Sequence, residues 1–289
     1  MNSDGKVREG AWDSRSLRAE LEADQAVYTQ KGIDHSLYPE PDSNFYSTWL
    51  YHRLAVLESI PLHCRAAGTR VIDIGGGKGR LSVLLSRLGL VCCSVDLLYL
   101  DTEERTPHGE PYASLLIEHL QSSGVQTIGH DFYADGLPVP SSSFDLALCT
   151  EVIEHLPNSP KPLLEEIRRV LRPGGFLLLT TPNAGSVRAR NTALRGRSAG
   201  EDIRSFYDMR GHPLGSVYRG HNREYVVSEV RYMLDSAGFT DLRCITVDYE
   251  HRGITGNGVR SAIRRAIYAS LVKVIPDSYG FIVAVARST

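Results

Sequence analysis

The stretch VIDIGGGKGRLSVLLSRLG, residues 71–89, joins a short apolar run to an amphipathic pattern through four closely spaced glycines, Gly75, Gly76, Gly77 and Gly79. The apolar run reads as a buried strand and the segment from Lys78 to Leu88 as a helix, which puts the glycines in the turn between them. Backbone without side chains lets a ligand approach closely, and the first turn of the following helix favours a negative group. Two phosphate-binding patterns are excluded by spacing. A dinucleotide fingerprint beginning at Gly75 and Gly77 needs its third glycine where Arg80 stands, and a P-loop needs Ser or Thr after Lys78, where Gly79 stands. What is left is D-x-G-x-G-x-G from Asp73 to Gly79.

Outward from this turn, apolar runs and helical patterns alternate. LVCCSVDL (90–97) is followed by a helix near Tyr112 to Ser122, then VQTIG (125–129), FDLALCT (144–150), a helix near Pro162 to Leu171 and GFLLLTT (175–181). Such alternation signals βαβ units and a parallel sheet. EYVVSEVRYMLDSAGF (224–239) reads as a further helix closing on Gly238, and DLRCITVDYE (241–250) and YGFIVAVARS (279–288) read as a last pair of strands. Toward the N-terminus, residues 14–30 and 45–60 read as helices separated by a turn-rich stretch. The expected organisation is a helical cap over residues 1–65 and a main domain over 66–289, with insertions at 184–222 and 251–278. The first insertion is polar and too long for an ordinary connection, which marks it as a lid. The second, GNGVRSAIRRAIYASLVKVIP (256–276), is helical and basic.

Composition narrows the partners. Hydrophobic residues make up 42% and charged residues 23%, the proportions of an ordinary globular chain. Thirty-two Lys and Arg against 34 Asp and Glu give a net charge of -2, so no overall field points to nucleic acid or to a membrane. Five cysteines (Cys64, Cys92, Cys93, Cys149, Cys244) without a C-x-x-C pair argue against a disulfide framework and a thiolate zinc site. With no signal-like segment and no long apolar run, a cytoplasmic location is expected.

The D-x-G-x-G-x-G pattern, Asp96 at the end of LVCCSVDL, Asp131 in QTIGHDF, FDLALCTEVIEHL and LLEEIRRVLRPGGFLLLTTPN together resemble the class I S-adenosylmethionine-dependent methyltransferases. The likeness covers residues 69–183, and the last strand pair extends it to about residue 286. It implies an α/β, Rossmann-like seven-stranded sheet, mostly parallel with the last strand antiparallel, and helices on both faces. It also implies methyl transfer by in-line displacement at the sulfonium. Asp73, Gly75, Gly77 and Gly79 would then hold the methionine end of the cofactor, Asp96 with Leu97 the ribose side, and Asp131 the adenine. Asp73, Asp96 and Asp131 each also read as turn or capping residues.

The acceptor side begins at Glu151-Val-Ile-Glu-His155. On a helix, Glu151, Glu154 and His155 share one face. The trio is similar to the metal-binding motif of small-RNA 2′-O-methyltransferases and ubiquinone-pathway O-methyltransferases, with His221 in YRGHNREYV as the natural fourth ligand and His212 as its competitor. Two carboxylates and two imidazoles suit Mg²⁺ or Mn²⁺, which would lower the pKa of an acceptor hydroxyl. Without a metal, His155 or His221 serves as general base beside Glu151.

Between residues 188 and 223 the first insertion carries Arg188, Arg190, Arg195, Arg197, Arg204, Arg210, Arg219 and Arg223 against Glu201, Asp202 and Asp208. Guanidinium forks suit a phosphate- or carboxylate-bearing acceptor, or else form a solvated surface. Phe206, Tyr207 and Tyr218 would cover a ring or pack the insertion down. The small-RNA enzymes carry R-H-x-D-H-x-F-E-W here. R-G-H-N-R-E-Y keeps a histidine and the acidic-aromatic pair but lacks the first histidine and the tryptophan. No Asn/Asp-Pro-Pro-Tyr motif for N-methylation follows the fourth strand. The expected activity is therefore O-methylation of a small-molecule hydroxyl on a sugar, polyol or aromatic intermediate. The alternatives are a metal-dependent RNA 2′-O-methyltransferase and a catalytically inactive cofactor-binding domain.

Overall fold

In the computed structural model, which describes residues 12–31, 52–100, 111–198, 207, 220–247 and 259–289, the apolar runs form seven strands. They are β1 (Arg70–Ile74), β2 (Val91–Asp96), β3 (Gln126–Gly129), β4 (Phe144–Thr150), β5 (Leu171–Pro182), β6 (Phe239–Val247) and β7 (Phe281–Ser288). Their order across one sheet is β3-β2-β1-β4-β5-β7-β6. Strands β1 to β5 pair in parallel, and β7 runs antiparallel to both of its neighbours. The helices are α1 (Ser14–Gln30), α2 (52–59), α3 (Arg80–Arg87), α4 (Tyr112–Ser122), α5 (Lys161–Val170), α6 (Val187–Leu194), α7 (Val227–Ser236) and α8 (Val259–Val274).

Two cores, one on each face of the sheet, explain why the strands read as unbroken apolar runs rather than alternating ones. Val71, Cys92, Leu146, Leu148 and Val283 face one cluster, which also takes Leu84 of α3 and Leu116 and Leu120 of α4. Ile72, Val95, Cys149, Leu177 and Ala284 face the other, with Leu164 and Ile167 of α5 and Val230 of α7. Leu17, Leu21 and Tyr28 of α1 and Leu54, Val56 and Leu57 of α2 join the first cluster. The described part of the N-terminal cap is thus built into one face of the sheet. All five cysteines are buried thiols.

Three sequence readings change. Helix α3 starts at Arg80 rather than Lys78 because Gly79 takes φ 67, outside the helical region. The helix expected over 151–155 is a single 3-10 turn, Ile153–His155, beyond the end of β4. Its stop is written in Leu156-Pro157: the residue before proline avoids helical ψ, and Leu156 has ψ 132. The first insertion opens with α6, whose cap Ser186 accepts from the Ala189 N–H at 3.1 Å through Oγ. Residues 199–206 and 208–219 lie outside the described residues. With them go Arg204, Arg210, Arg219, His212, Phe206, Tyr218 and the acidic Glu201, Asp202 and Asp208. Among the described residues no helix is long and apolar enough to cross a membrane.

Candidate active site

The parallel strands end on one edge, where the turns after β1, β2, β3, β4 and β5 converge. Gly75, Gly77 and Gly79 all have positive φ (68, 52 and 67), conformations that a Cβ disfavours. Asp96 holds this loop in place: Oδ2 accepts from the Gly77 N–H at 2.7 Å and Oδ1 from the Leu98 N–H at 2.7 Å. A Cβ on Gly76 would overlap Ser94 Oγ and crowd Asp73 Oδ2. Asp73 is buried, and Ser82 Oγ donates to its Oδ2 at 2.7 Å. Its other oxygen, Oδ1, has no hydrogen-bond partner among the described residues. Burial pushes its carboxyl up to about 6. Leu97 is 38% exposed at the start of the 3-10 turn Leu97–Leu100. Asp131 is exposed, and its Oδ1 caps its own turn by accepting the N–H groups of Tyr133 and Ala134, each at 3.2 Å.

The N-terminal helices close over the loop. Tyr28 of α1 donates from Oη to the Lys78 carbonyl at 2.8 Å, and the Arg80 guanidinium sits 4.3 Å from the Tyr28 ring centroid. Buried Asp24 pairs with Arg87 at 3.1 Å, tying α1 to α3. His52 and Arg53 of α2 line a cavity of about 230 Å³ with Asp73, Gly75, Gly76, Lys78, Thr150 and Glu151. This cavity joins the glycine loop to the end of β4. A larger one, about 350 Å³ beside Cys64, Asp145 and Arg172, lies at the opposite edge of the sheet and touches none of these groups.

Glu151 follows β4 with φ 55, a left-handed conformation costly for a non-glycine residue. Its N–H donates to the Thr180 carbonyl at 3.0 Å, and Thr180 Oγ1 donates to its Oε1 at 2.8 Å. His52 Nε2 lies 3.4 Å from the same carboxylate oxygen and 3.1 Å from Thr180 Oγ1. Burial raises the Glu151 carboxyl to about 8 against the Thr180 hydrogen bond, and lowers His52 to about 3. The structure does not gather the four expected metal ligands. Ligand atoms of Glu154, His155 and His221 lie within 4.8 Å of one another, and Glu151 is not in that group. Glu151 nevertheless adjoins the cluster, its carboxyl in side-chain hydrogen-bond contact with that of Glu154.

Glu154 is fully buried. Thr181 Oγ1 donates to its Oε2 at 2.9 Å, while Oε1 makes no hydrogen bond of regular geometry among the described residues. Burial, and then the charge of Glu151, hold its carboxyl well above the usual range. The two histidine rings meet edge to face at 4.9 Å. His155 Nδ1 is 3.2 Å from the Gly220 carbonyl, so it carries the proton there, and His221 Nδ1 faces Glu224 Oε1 at 3.1 Å. In its neutral form each ring then carries its lone pair on Nε2. The loop is locked to the turn by the Asn222 and Arg223 N–H groups on the Glu154 carbonyl (2.7 and 3.2 Å) and by Asn222 Nδ2 on the His155 carbonyl (2.9 Å).

Sequence reading did not single out His52, Arg53, Tyr28, Thr180 or Thr181 for the site. Glu224 had a local signal, its i,i+3 spacing from His221. The others reach the site only through the fold, His52 meeting Thr180 across 128 positions.

A family model described as a methyltransferase domain matches residues 49–243. An Idiomarina loihiensis protein named ubiquinone biosynthesis O-methyltransferase is 30% identical over 178 residues, 61% of this chain and 63% of that protein. Its namesake in Xanthomonas axonopodis is 34% identical over 128 residues, 44% of this chain and 48% of that one. The matches thus span about half to just under two thirds of these relatives. Among solved structures, an S-adenosylmethionine-dependent methyltransferase of Thermotoga maritima superposes with TM-score 0.51 at 18% identity, covering 94% of this chain and all (100%) of that one. A Haemonchus contortus phosphoethanolamine N-methyltransferase 2, solved with phosphomonomethylethanolamine and S-adenosylhomocysteine, gives 0.51 at 18% identity, covering 94% and 60%. Those two carry the fold alone. The family match runs through the glycine loop, the β4 end and the His221 loop, and the chain therefore belongs to the methyltransferase-domain family, among the class I S-adenosylmethionine-dependent methyltransferases.

Proposed function

We propose that this chain transfers the methyl group of S-adenosylmethionine to a hydroxyl oxygen of a small molecule. The observation that carries it is the Glu154, His155 and His221 cluster at the same sheet edge as the glycine loop, beside a cavity that runs from Asp73 to Glu151. Asp73 Oδ1, buried and without a partner among the described residues, is the acceptor for the ammonium of the methionine moiety, with Gly75, Gly77 and Gly79 giving close backbone approach. Asp96 takes the ribose hydroxyls, Leu97 packs beside them, and Asp131 turns toward the adenine.

In the transfer, a hydroxyl oxygen attacks the methyl carbon in line with its bond to sulfur. The C–S bond breaks as the C–O bond forms, and its electron pair neutralises the sulfonium. The acceptor's proton must leave, and an Nε2 lone pair of His155 or His221 takes it. Glu224 and the Gly220 carbonyl fix both rings with that nitrogen turned away from them. Glu151 and His52 shape the wall between the two half-sites and exclude water from it.

The cluster also fits a divalent cation. A buried Glu154 oxygen makes no hydrogen bond of regular geometry among the described residues, and His221 has a carboxylate behind it, the usual support of a ligating imidazole. The holders would be Glu154, His155 and His221. Two nitrogens and one carboxylate favour Mn²⁺ over Mg²⁺, which prefers oxygen. Such an ion would take up both Nε2 lone pairs, making the imidazoles ligands in place of the base, and would supply Lewis-acid activation of the hydroxyl instead.

Radiolabelled methyl transfer into cell extract, separated into small-molecule, RNA, lipid and protein fractions, tests the reading. Label is expected in the small-molecule fraction, lost on chelation and restored by Mn²⁺. Label in RNA would overturn the assignment of acceptor, and chelator-insensitive label would remove the metal.

A second outcome concerns pH. The Asp73 carboxyl titrates near 6 in the free protein, and only its ionised form attracts the cationic cofactor. Affinity for S-adenosylmethionine is therefore flat above that pH and falls about tenfold per unit well below it. Calorimetric titration between neutral and mildly acidic pH checks this, and Asp73→Asn should flatten the profile. For stability the sign is opposite. A carboxyl raised from 3.8 toward 6 on folding binds its proton more tightly in the folded state, so its contribution to stability declines as pH rises through that window.

A further inference from the structure

We propose that the outer face of α8, with the end of α6 beside it, docks on the anionic surface of a lipid bilayer. Val259, Ile263, Ile267, Leu271 and Val274 fall at helical spacing on one side of α8, and they are 77, 53, 55, 40 and 81% exposed. Tyr268, on the opposite side, is the one buried residue of this helix. A helix at a protein surface ordinarily turns such a stripe inward, and contiguous apolar patches of this kind mark docking surfaces. α8 packs against α6, which ends on Leu194, 88% exposed.

Charge decides what covers the face. Arg264 borders the stripe on one side and Lys273 on the other, Arg260 falls at its N-terminal end between the lines of Ile267 and Leu271, and residues 259–276 contain no Asp or Glu. Residues 184–198 add Arg188, Arg190, Arg195 and Arg197, again with no carboxylate. An apolar stripe with cationic borders is the pattern of a helix lying in the headgroup layer. A second copy is disfavoured, because a twofold contact through α8 would bring the same arginines together. The chain's net charge of -2 averages this lobe away.

The lobe is tied to the site's edge of the sheet. Val187 N–H donates to the Ser278 carbonyl at 2.9 Å, Asn183 Nδ2 to the Asp277 and Tyr279 carbonyls at 2.8 and 2.7 Å, and Ala184 N–H to the Tyr225 carbonyl at 2.9 Å. Docking would hold the loop bearing His221 near the headgroups. The surface stands on this geometry alone, independently of the acceptor assigned above.

The test is co-sedimentation of the full chain with vesicles of phosphatidylcholine alone or mixed with phosphatidylglycerol. Binding is expected to the mixed vesicles and to weaken with added salt. Arg260→Gln/Arg264→Gln should lower partitioning roughly 25-fold, from about fivefold per basic residue. Ile263→Ser/Ile267→Ser should lower it more than tenfold. Both variants change exposed residues, and unchanged S-adenosylhomocysteine binding would confirm their fold. Equal binding to neutral and anionic vesicles, or variants that bind like the parent, would overturn the proposal. So would a concentration-dependent dimer in sedimentation velocity that Ile263→Ser/Ile267→Ser abolishes. None of these readouts requires methyl transfer, so failure here and failure of the proposed activity are separable.

Discussion

Asp96→Ala is expected to raise the dissociation constant for S-adenosylhomocysteine roughly a hundredfold or more. The carboxylate does two things at once. It accepts the Gly77 and Leu98 N–H groups at 2.7 Å each, fixing the glycine loop against the end of β2, and by the proposed assignment it also receives the ribose hydroxyls. Hydrogen bonds to an ionised group contribute about 1.5–3 kcal/mol each, so losing even two exceeds the factor that separates ordinary binding from none at micromolar cofactor. Asp96→Asn keeps one acceptor oxygen and should fall between. Calorimetric titration with S-adenosylhomocysteine checks both, and circular dichroism shows whether the loop's tether is needed for the fold. An Asp96→Ala protein that binds within threefold of the parent would remove Asp96 from the cofactor site.

The region 70–182 was legible because its chemistry is local. Buried parallel strands read as apolar runs, and a turn that needs positive φ at Gly75, Gly77 and Gly79 can be filled only by residues without a Cβ. The last pair of strands was legible for the same reason, although nothing local told that β7 would slot between β5 and β6. Readings failed where a local rule was overruled nearby. The trio Glu151, Glu154 and His155 obeys helical spacing, yet Glu151 stands at φ 55 facing His52 and a single 3-10 turn follows before Leu156-Pro157 stops it. The proline marked where the turn stops; nothing local marked the left-handed Glu151.

Other parts had no local signal. Nothing about Tyr28 says that its hydroxyl will reach the Lys78 carbonyl, because that contact exists only once α1 has docked on α3. The apolar stripe of α8 was visible as helical and basic. Its exposure was not, since a stripe at this spacing usually faces a core. Charge summed over the whole chain hid two segments, 184–198 and 259–276, that carry Arg and Lys and no Asp or Glu.

Glu154→Gln and His221→Ala are each expected to lower kcat about a thousandfold while leaving S-adenosylmethionine affinity within threefold. Glutamine at 154 keeps the volume and can still accept from Thr181 Oγ1, so the buried packing survives and only the ability to carry charge is lost. If Glu154 were a structural acid, held neutral by burial and by Glu151, that change would be nearly silent. A large loss in turnover with the fold intact therefore separates a functional carboxylate from a buried one. His221→Ala removes the partner of Glu224 together with an imidazole that holds the ion or, without an ion, takes the proton, and general-base losses run to about 10²–10⁴. Glu224→Gln, which keeps the hydrogen bond but weakens the orientation of the ring, should cost about ten- to a hundredfold. The histidines and Glu154 form one unit, so Glu154→Gln/His221→Ala should be scarcely slower than either single change. Manganese binding followed by paramagnetic resonance gives a readout apart from activity. Loss of bound Mn²⁺ in both single variants, with Glu151→Gln retaining it, would match the grouping in which Glu151 stands outside the cluster. Retention of the ion in Glu154→Gln together with undiminished turnover would leave His155 and His221 as a metal-free base pair.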